Sequence, residues 1–147
     1  MQNKVLAYVV RTDSSDCRLL VFEHAEYPDA GLQVPAGTVE PGEPLEAALW
    51  RELFEESGLQ QLQVSLVGKL AEFPQPAWDN TRHVYLLQAV PGLPPFWRYT
   101  VTGGAGDHGL IFDYRWEGLS HPPRLAGNQG HWLALIEQTL SQAQARS

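Results

Sequence analysis

Residues 37–59 constrain the fold more than any other part of the chain, because they predict a loop, a helix and a turn in that order. Pro44 suits the first helical position, where its missing N–H costs no hydrogen bond. Gly58 suits the left-handed conformation that ends a helix. Between these two residues an apolar arc is expected to pack on the rest of the protein. The arc comprises Ala47, Leu49, Trp50, Leu53 and Phe54.

The same predicted helix carries three carboxylates on a second arc. Glu52, Glu55 and Glu56 fall within roughly 100° of its circumference. Like charges one turn apart destabilise a helix, so this cluster is expected to have a compensating partner. Hard divalent cations such as Mg²⁺ take oxygen ligands of this kind. Arg51 lies four residues before Glu55 and can pair with it. A solvated acidic helix face is the alternative that these residues leave open.

The complete pattern resembles the Nudix box, the signature of the Nudix hydrolase family. The resemblance depends on Gly37, Glu43 and the run RELFEESGL at 51–59, and every fixed position is filled. It implies an α/β fold with a mixed sheet, arranged as an αβα sandwich. It also implies hydrolysis, dependent on Mg²⁺ or Mn²⁺, of a nucleoside diphosphate linked to another group X. On this basis we expect Glu52 and Glu56 to be the primary metal ligands, Glu55 a third ligand, and Arg51 to orient the carboxylates.

The loop before the helix is expected to bring bare backbone to the site, because Ala36 and Gly37 are small enough for close approach. In members of the family a carbonyl at or just before this glycine joins the metal shell, and Ala36 is the matching residue here. A simple turn is the alternative. We expect Glu43 to support the site, either by stabilising the loop or by reaching the metal through water.

A second glycine pattern occurs at residues 104–109, which read GAGDHG and match G-x-G-x-x-G. A dinucleotide-binding fingerprint requires a helix directly after the glycines. Residues 110–116 alternate between polar and apolar types, as a strand does. The segment is therefore predicted to be a loop between two strands.

A late loop often supplies another acid in the Nudix family, as a metal ligand or as the general base. Asp107 is the first candidate by position, followed by His108 and then Glu117. The base that takes a proton from the attacking water is therefore either Glu55 or Asp107. A solvated loop aspartate is the alternative for Asp107.

The remaining chain predicts the order βββαββββα within a single domain spanning residues 1–147. The strands are expected at 5–11, 18–23, 32–35, 64–73, 82–90, 97–102 and 110–116, and the closing helix at 130–145. A net charge of −7 argues against binding long nucleic acid through its phosphates. Cys17 is the only cysteine, so no internal disulfide is expected. The N-terminus lacks a signal-peptide pattern and no apolar run could span a membrane, so a cytoplasmic location is expected.

The substrate is expected to be a small nucleotide, with specificity decided outside the box. Trp78 lies in a predicted loop and is our first candidate for stacking on a base. The expected substrates, in order of preference, are ADP-ribose-like compounds or nucleotide sugars, then (deoxy)nucleoside di- or triphosphates, then dinucleoside polyphosphates. A nucleotide sensor that binds without cleaving is the alternative function. The protein is expected to be a monomer or a homodimer.

Overall fold

The computed structural model describes residues 1–13, 16–103 and 106–146. Within these residues, seven strands and two α-helices follow one another in the predicted order. The strands are β1 (Gln2–Arg11), β2 (Arg18–His24), β3 (Ala36–Thr38), β4 (Val64–Gln75), β5 (Asn80–Ala89), β6 (Phe96–Thr100) and β7 (Ile111–Gly118), and the helices are α1 (Leu45–Ser57) and α2 (Ile136–Ala145). A 3₁₀ segment, Gln129–Leu135, leads into α2, so only the second half of the predicted closing helix is α-helical. No helix in these ranges is long and apolar enough to cross a membrane.

The strands form one mixed sheet in the order β4-β5-β1-β2-β7-β6, and β3 pairs with β1. β1 runs parallel to β5, and the other pairs are antiparallel. Residues of α1 pack on one face of the sheet, and residues of α2 pack on the opposite face. The expected α/β fold, a mixed sheet between two helical layers, is therefore confirmed.

Strand β1 lies in the middle of the sheet and is buried on both faces. Val5 and Val9 belong to the core under α1, whereas Leu6 and Val10 belong to the core under α2. A strand covered on both sides shows a continuous apolar run instead of alternation. Each fully buried side chain of this kind contributes about 1.5–3 kcal/mol. This burial holds the start of β1 firmly beside the residues of the box.

The third strand lies later in the chain than predicted. The prediction placed it at 32–35, but β3 spans Ala36–Thr38, with Gly37 opposite Val5 of β1. Residues 32 and 33 form only isolated bridges. Pro35 has no N–H to donate and uses only its carbonyl, which accepts from Ala7 N at 2.8 Å. The box therefore begins inside a short strand and continues through a loop into the helix.

Helix α1 begins one residue later than predicted and ends as predicted. Pro44 precedes it with extended backbone, at φ −62° and ψ 145°. Gly58 is left-handed, at φ 79° and ψ −1°, and its N–H donates to Phe54 O at 2.9 Å. The predicted apolar arc is too broad, because Ala47 and Phe54 are exposed while Ala48 is buried. The buried residues of the helix are Ala48, Leu49, Leu53, Glu56 and Ser57.

The last four carbonyls of α1 all accept hydrogen bonds, although a helix end normally leaves such groups unpaired. The four donors are Gly58 N to Phe54 O at 2.9 Å, Thr102 N to Glu55 O at 2.9 Å, Tyr114 Oη to Glu56 O at 2.7 Å, and Trp97 Nε1 to Ser57 O at 3.0 Å. Three of these donors come from β6, β7 and the segment between them. The acidic end of α1 is therefore fixed against that part of the sheet.

The glycine-rich segment before β7 lies partly outside the described residues, which exclude Gly104 and Ala105. From Gly106 to Gly109 the chain forms a turn, and β7 begins at Ile111. A strand, and not a helix, thus follows the glycines. The prediction that this segment is not a dinucleotide-binding fingerprint is confirmed.

Candidate active site

Arg51 lies at the centre of the box and uses all five of its N–H donors. Its Nε and Nη2 donate to the two oxygens of Glu43 at 2.8 and 2.9 Å. Its Nη1 donates to Glu52 Oε1 at 2.8 Å and to Glu55 Oε2 at 3.3 Å. The fifth donor, on Nη2, binds Thr38 O at 3.1 Å. The predicted pairing with Glu55 is present, but Glu43 is the stronger partner.

The ion pair with Arg51 is the main influence on the pKa of Glu43. The side-chain hydrogen bonds from Arg51, with one from the backbone N–H of Glu40, lower the pKa of Glu43 to about 2. The same contacts raise the pKa of Arg51. Glu43 therefore anchors Arg51 to the loop before the helix.

Gly37 and Glu52 are in direct contact, because a Cβ added to Gly37 would overlap the Glu52 carboxylate. Glycine is thus required here for space, since only a bare backbone lets the acid lie over β3. Burial raises the pKa of Glu52, and the neighbouring Arg51 opposes this effect. Gly37 therefore positions a carboxylate at the floor of the site.

Glu56 is the most buried acid of the helix, with only 5% of its surface exposed. Its Oε1 accepts the backbone N–H of Ala36 at 3.0 Å. Burial raises the pKa of Glu56 well above its ordinary value, although the hydrogen bond from Ala36 lowers it. The charges of Glu52, Asp107 and Glu55 raise it further. A buried carboxylate among other acids is destabilised unless a cation reaches it.

The segment between β6 and β7 brings a further acid and a further glycine to the site. Asp107 lies close enough for its charge to raise the pKa of Glu52 and Glu56. A Cβ on Gly103 would overlap the Glu55 carboxylate, and Gly103 has a φ of +67°. Glu55 therefore depends on Gly103 for space, as Glu52 depends on Gly37. No feature of the sequence indicated this role of Gly103.

These groups line one cleft of about 900 Å³. Its walls come from the start of β1, from β3 and the following loop, from α1, and from residues 101–103, 106 and 107. Among the three loop candidates, Asp107 is the one described residue that lines this cleft; His108 does not, and Glu117 contacts Arg115 on β7. A second cavity of about 720 Å³, lined by Phe73, Leu125 and Trp132, contains none of the α1 acids. The first cleft is therefore the candidate active site.

Two other residues that the sequence singled out are Trp78 and Ala36. Trp78, the predicted stacking residue, is 75% exposed in the turn Pro76–Trp78 and does not line the cleft. Its turn lies between β4 and β5, so the loop prediction is confirmed, while the stacking role of Trp78 stays a prediction. Ala36, expected to offer its carbonyl to a metal, lines the cleft, and its N–H donates to Glu56 Oε1. The cleft also contains Lys4 and Thr38, which the sequence did not single out.

The acids of the cleft suit a hard divalent cation, which binds oxygen ligands. Across the described ranges, however, no three His, Cys, Asp or Glu side chains are already gathered as a metal site. The contacts explain this arrangement, because Arg51 holds Glu52 and Glu55, while Glu56 is turned toward Ala36. The donor types and the raised pKa of Glu56 fit a cation, whereas the side chains are oriented around Arg51.

Comparison with solved structures identifies the fold. A C. elegans Ap4A hydrolase in a binary complex matches with a TM-score of 0.69 and 18% identity over 95% of this chain and 98% of that one. The M. smegmatis Nudix hydrolase RenU matches with a TM-score of 0.65 and 14% identity, covering 95% and 86%. The NUDIX domain of Shewanella oneidensis NrtR, complexed with ADP ribose, has a TM-score of 0.60 and 18% identity, covering 95% and 86%.

Sequence comparison gives the family directly. No curated protein matches the chain. The family model described as NUDIX domain matches residues 2–135, which include the box, the sheet and the 3₁₀ segment that leads into α2. Family and fold together support a pyrophosphohydrolase. The chain therefore belongs to the NUDIX domain family.

Proposed function

We propose that the protein hydrolyses a pyrophosphate bond in a nucleoside diphosphate linked to a second group X, with Mg²⁺ or Mn²⁺ as cofactor. The observation that carries the proposal is the convergence of Glu52, Glu55, Glu56 and Asp107 on one cleft beside the glycine backbone of β3. Residues 1–147 would act as one catalytic domain on a small nucleotide in the cytoplasm, as a monomer or a homodimer.

Glu52 and Glu56 are the primary ligands in this proposal, with Glu55 and the carbonyl of Ala36 as further ligands. A bound divalent cation would neutralise charge on the phosphate oxygens and lower the pKa of a nearby water. The high pKa that burial gives Glu56 supports its assignment, because a cation offsets the cost of the buried charge. Arg51 holds the carboxylates apart in defined positions and is itself fixed by Glu43.

We assign the general base to Glu55. Its contact with Arg51 is 3.3 Å, longer than the 2.8 Å contact between Arg51 and Glu52. Arg51 therefore holds the oxygens of Glu55 less tightly. A general base must lie within hydrogen-bond reach of the water that it deprotonates. Asp107 is the second candidate, because it lines the same cleft and its charge reaches Glu52 and Glu56. Comparing Glu55→Gln with Asp107→Asn tests the assignment, since the base variant loses the larger share of kcat.

Similarity to solved structures of an Ap4A hydrolase and of a NUDIX domain complexed with ADP ribose supports the proposal of a nucleotide substrate. The test is release of product across a nucleotide panel that includes ADP-ribose, diadenosine tetraphosphate, nucleotide sugars and nucleoside triphosphates, with Mg²⁺, with Mn²⁺ and with EDTA. Product that requires the metal supports the proposal. Nucleotide binding by calorimetry without product at any metal concentration would favour the sensor alternative instead.

A further inference from the structure

A buried histidine lies beside the cleft, on the same face of the sheet as the α1 acids. His83 of β5 is opposite Val5 of β1 in the parallel ladder, and Val5 packs in the core under α1. Side chains alternate along a strand, so Asn3 lies on that face as well. Asn3 lines the cleft, whereas His83 is only 6% exposed and does not line it. A buried polar group therefore lies behind one wall of the cleft.

The contacts of His83 determine which of its ring nitrogens carries the proton. Lys69 Nζ lies 2.9 Å from His83 Nδ1, and His83 Nε2 lies 2.9 Å from Asn3 Oδ1. An ammonium group can only donate, so Nδ1 must accept and Nε2 must carry the proton. Burial and the charge of Lys69 lower the pKa of His83, although Glu72, 3.4 Å from Nδ1, opposes this effect. His83 is therefore neutral and donates to Asn3 Oδ1.

The donor on His83 fixes the orientation of the Asn3 amide. Because a ring N–H faces Oδ1, flipping the amide would place two donors against each other. Neither N–H of that amide has a partner within the described ranges, and the side chain is exposed. The backbone of Asn3 is also fixed, because its carbonyl accepts from Val39 N at 2.9 Å. Asn3 thus offers two hydrogen-bond donors to the cleft from a fixed position.

The register of the strands places Asn3 close to the acidic centre. Val5 is opposite Gly37, over which the Glu52 carboxylate lies. Asn3 precedes Val5 by two residues, so its Cα lies roughly 8 Å from that of Gly37. At this distance the amide is expected to contact the substrate beside the bond that is cleaved. An amide whose oxygen is already engaged offers its donors, and these bind an acceptor such as a phosphate or sugar oxygen.

We propose that Asn3 binds an oxygen acceptor in the sugar–phosphate part of the nucleotide, and that His83 is the residue that positions Asn3. This inference rests on the proposed function, because it names a further contact to the same substrate. A donor that is already held in place adds to affinity without a cost of ordering. Because this donor lies beside the reacting bond, its loss should raise KM more than it lowers kcat.

The first test replaces the Asn3 amide. We expect Asn3→Ala to raise KM about tenfold while kcat changes by about threefold or less. Asn3→Asp keeps the shape but exchanges the donors for acceptors and adds a negative charge, so its KM should rise further. Gln88→Glu is the matched control, because it makes the same amide-to-acid change on β5, where Gln88 contacts Thr12 and does not line the cleft. An unchanged KM in Asn3→Ala, or equal rises of KM in Asn3→Asp and Gln88→Glu, would overturn the proposal.

The second test separates positioning by His83 from a general effect on the fold. His83→Leu removes the donor to Asn3 and should raise KM as Asn3→Ala does, whereas His83→Gln keeps an N–H donor and should retain more affinity. In the double variant of Asn3→Ala with His83→Leu, KM should rise no further than in Asn3→Ala alone, because both changes remove one interaction. Additive rises of KM, or a fall in kcat and Tm without a rise in KM, would overturn the role of His83.

The third test measures binding without turnover, by calorimetry with AMP, ribose 5-phosphate and inorganic pyrophosphate in the presence of Mg²⁺. Weaker binding of pyrophosphate to Asn3→Ala than to wild type would identify a phosphate oxygen as the acceptor. Weaker binding of AMP and ribose 5-phosphate, with pyrophosphate unchanged, would identify a sugar oxygen. A loss confined to AMP would mean that Asn3 contacts the base, and equal affinities for all three probes would mean that it contacts none; either result contradicts the inference.

Failure of the inference and failure of the proposed function give different results. Wild type that binds these probes through Asn3 but cleaves no nucleotide would refute the proposed function alone. Wild type that cleaves a nucleotide with a KM that does not depend on Asn3 would refute the inference alone. Thermal unfolding of each variant separates both results from loss of the fold.

Discussion

Arg51 and Glu43 form a two-pronged ion pair, with Nε–Oε2 and Nη2–Oε1 distances of 2.8 and 2.9 Å. The pair ties the middle of α1 to the loop that precedes the helix. Planar pairs of this kind are geometrically specific as well as strong. Because the same guanidinium also contacts Glu52 and Glu55, its position determines where two acids of the cleft lie.

The first prediction concerns the pH dependence of this pair. The pKa of Glu43 falls from 4.5 to about 2 in the folded protein. A carboxyl group whose pKa is lower in the folded protein stabilises the fold at pH values above its unfolded pKa. That stability is lost as the pH falls through the folded pKa. We therefore expect Glu43→Gln to lower Tm at neutral pH, with the difference from wild type narrowing below about pH 4.5. Thermal unfolding of both proteins across this pH range measures the difference in Tm.

The control for that experiment is Glu40→Gln. Glu40 is a neighbouring exposed carboxylate whose side chain makes no ion pair within the described ranges. Its removal should leave Tm nearly unchanged at all pH values. A Tm difference for Glu43→Gln that stays constant down to about pH 3 would mean that the ion pair is not the source of the stability.

The second prediction separates stability from activity at Glu56. Burial raises the pKa of this acid, so its ionisation destabilises the metal-free protein as the pH rises above the ordinary value. Glutamine removes the charge and can still accept from Ala36 N. We expect Glu56→Gln to match or exceed the Tm of wild type in EDTA at mildly alkaline pH, while turnover is abolished. A lower Tm in EDTA, or near-normal turnover at saturating Mg²⁺, would show that this acid is not a ligand held at a cost in stability.

The third prediction tests the space that Gly103 leaves for Glu55. Ala at this position would overlap the carboxylate and also take a positive φ, which costs about 1 kcal/mol. Gly109 has a φ of +89° but open space around it, so Gly109→Ala controls for the backbone strain alone. We expect kcat to fall at least about tenfold more in Gly103→Ala than in Gly109→Ala, with similar losses of Tm. Equal kcat values in the two variants would mean that the space Gly103 leaves for Glu55 does not matter for catalysis.

The fourth prediction applies the same reasoning to Gly37 and Glu52. Gly37→Ala would displace the carboxylate from its place over β3. We expect a higher Mg²⁺ concentration for half-maximal rate, together with a loss of kcat. Gly68 lies in β4 with nothing within 4 Å of an added Cβ, so Gly68→Ala is the matched substitution in another strand. An unchanged metal requirement in Gly37→Ala would argue that Glu52 does not bind the metal.

The features that could be predicted from the sequence are those with a fixed local spacing. The helix of the box, its end at Gly58 and the shared arc of Glu52 and Glu55 follow from helical periodicity and from glycine's left-handed backbone. The mixed sheet between helices followed from strand order and family resemblance. These features depend on neighbours in the chain, and the structure reproduces them.

The features that could not be predicted depend on contacts between distant segments. Nothing near Gly103 in the sequence indicates that Glu55 lies against it. Trp78 was chosen because an aromatic residue in a loop can stack on a base, but it is not among the residues that line the cleft. The position of the third strand also depended on its pairing with β1, which local propensity does not encode.

The central claim is that the acids on α1 are present together because a divalent cation works among them. The most direct measurement is nucleotide hydrolysis by wild type and by Glu52→Gln as Mn²⁺ is titrated from an EDTA-treated sample. The account predicts no product in EDTA, saturating activity of wild type with Mn²⁺, and no recovery of Glu52→Gln at any concentration. Product formed in EDTA, or full activity of Glu52→Gln at saturating Mn²⁺, would contradict it.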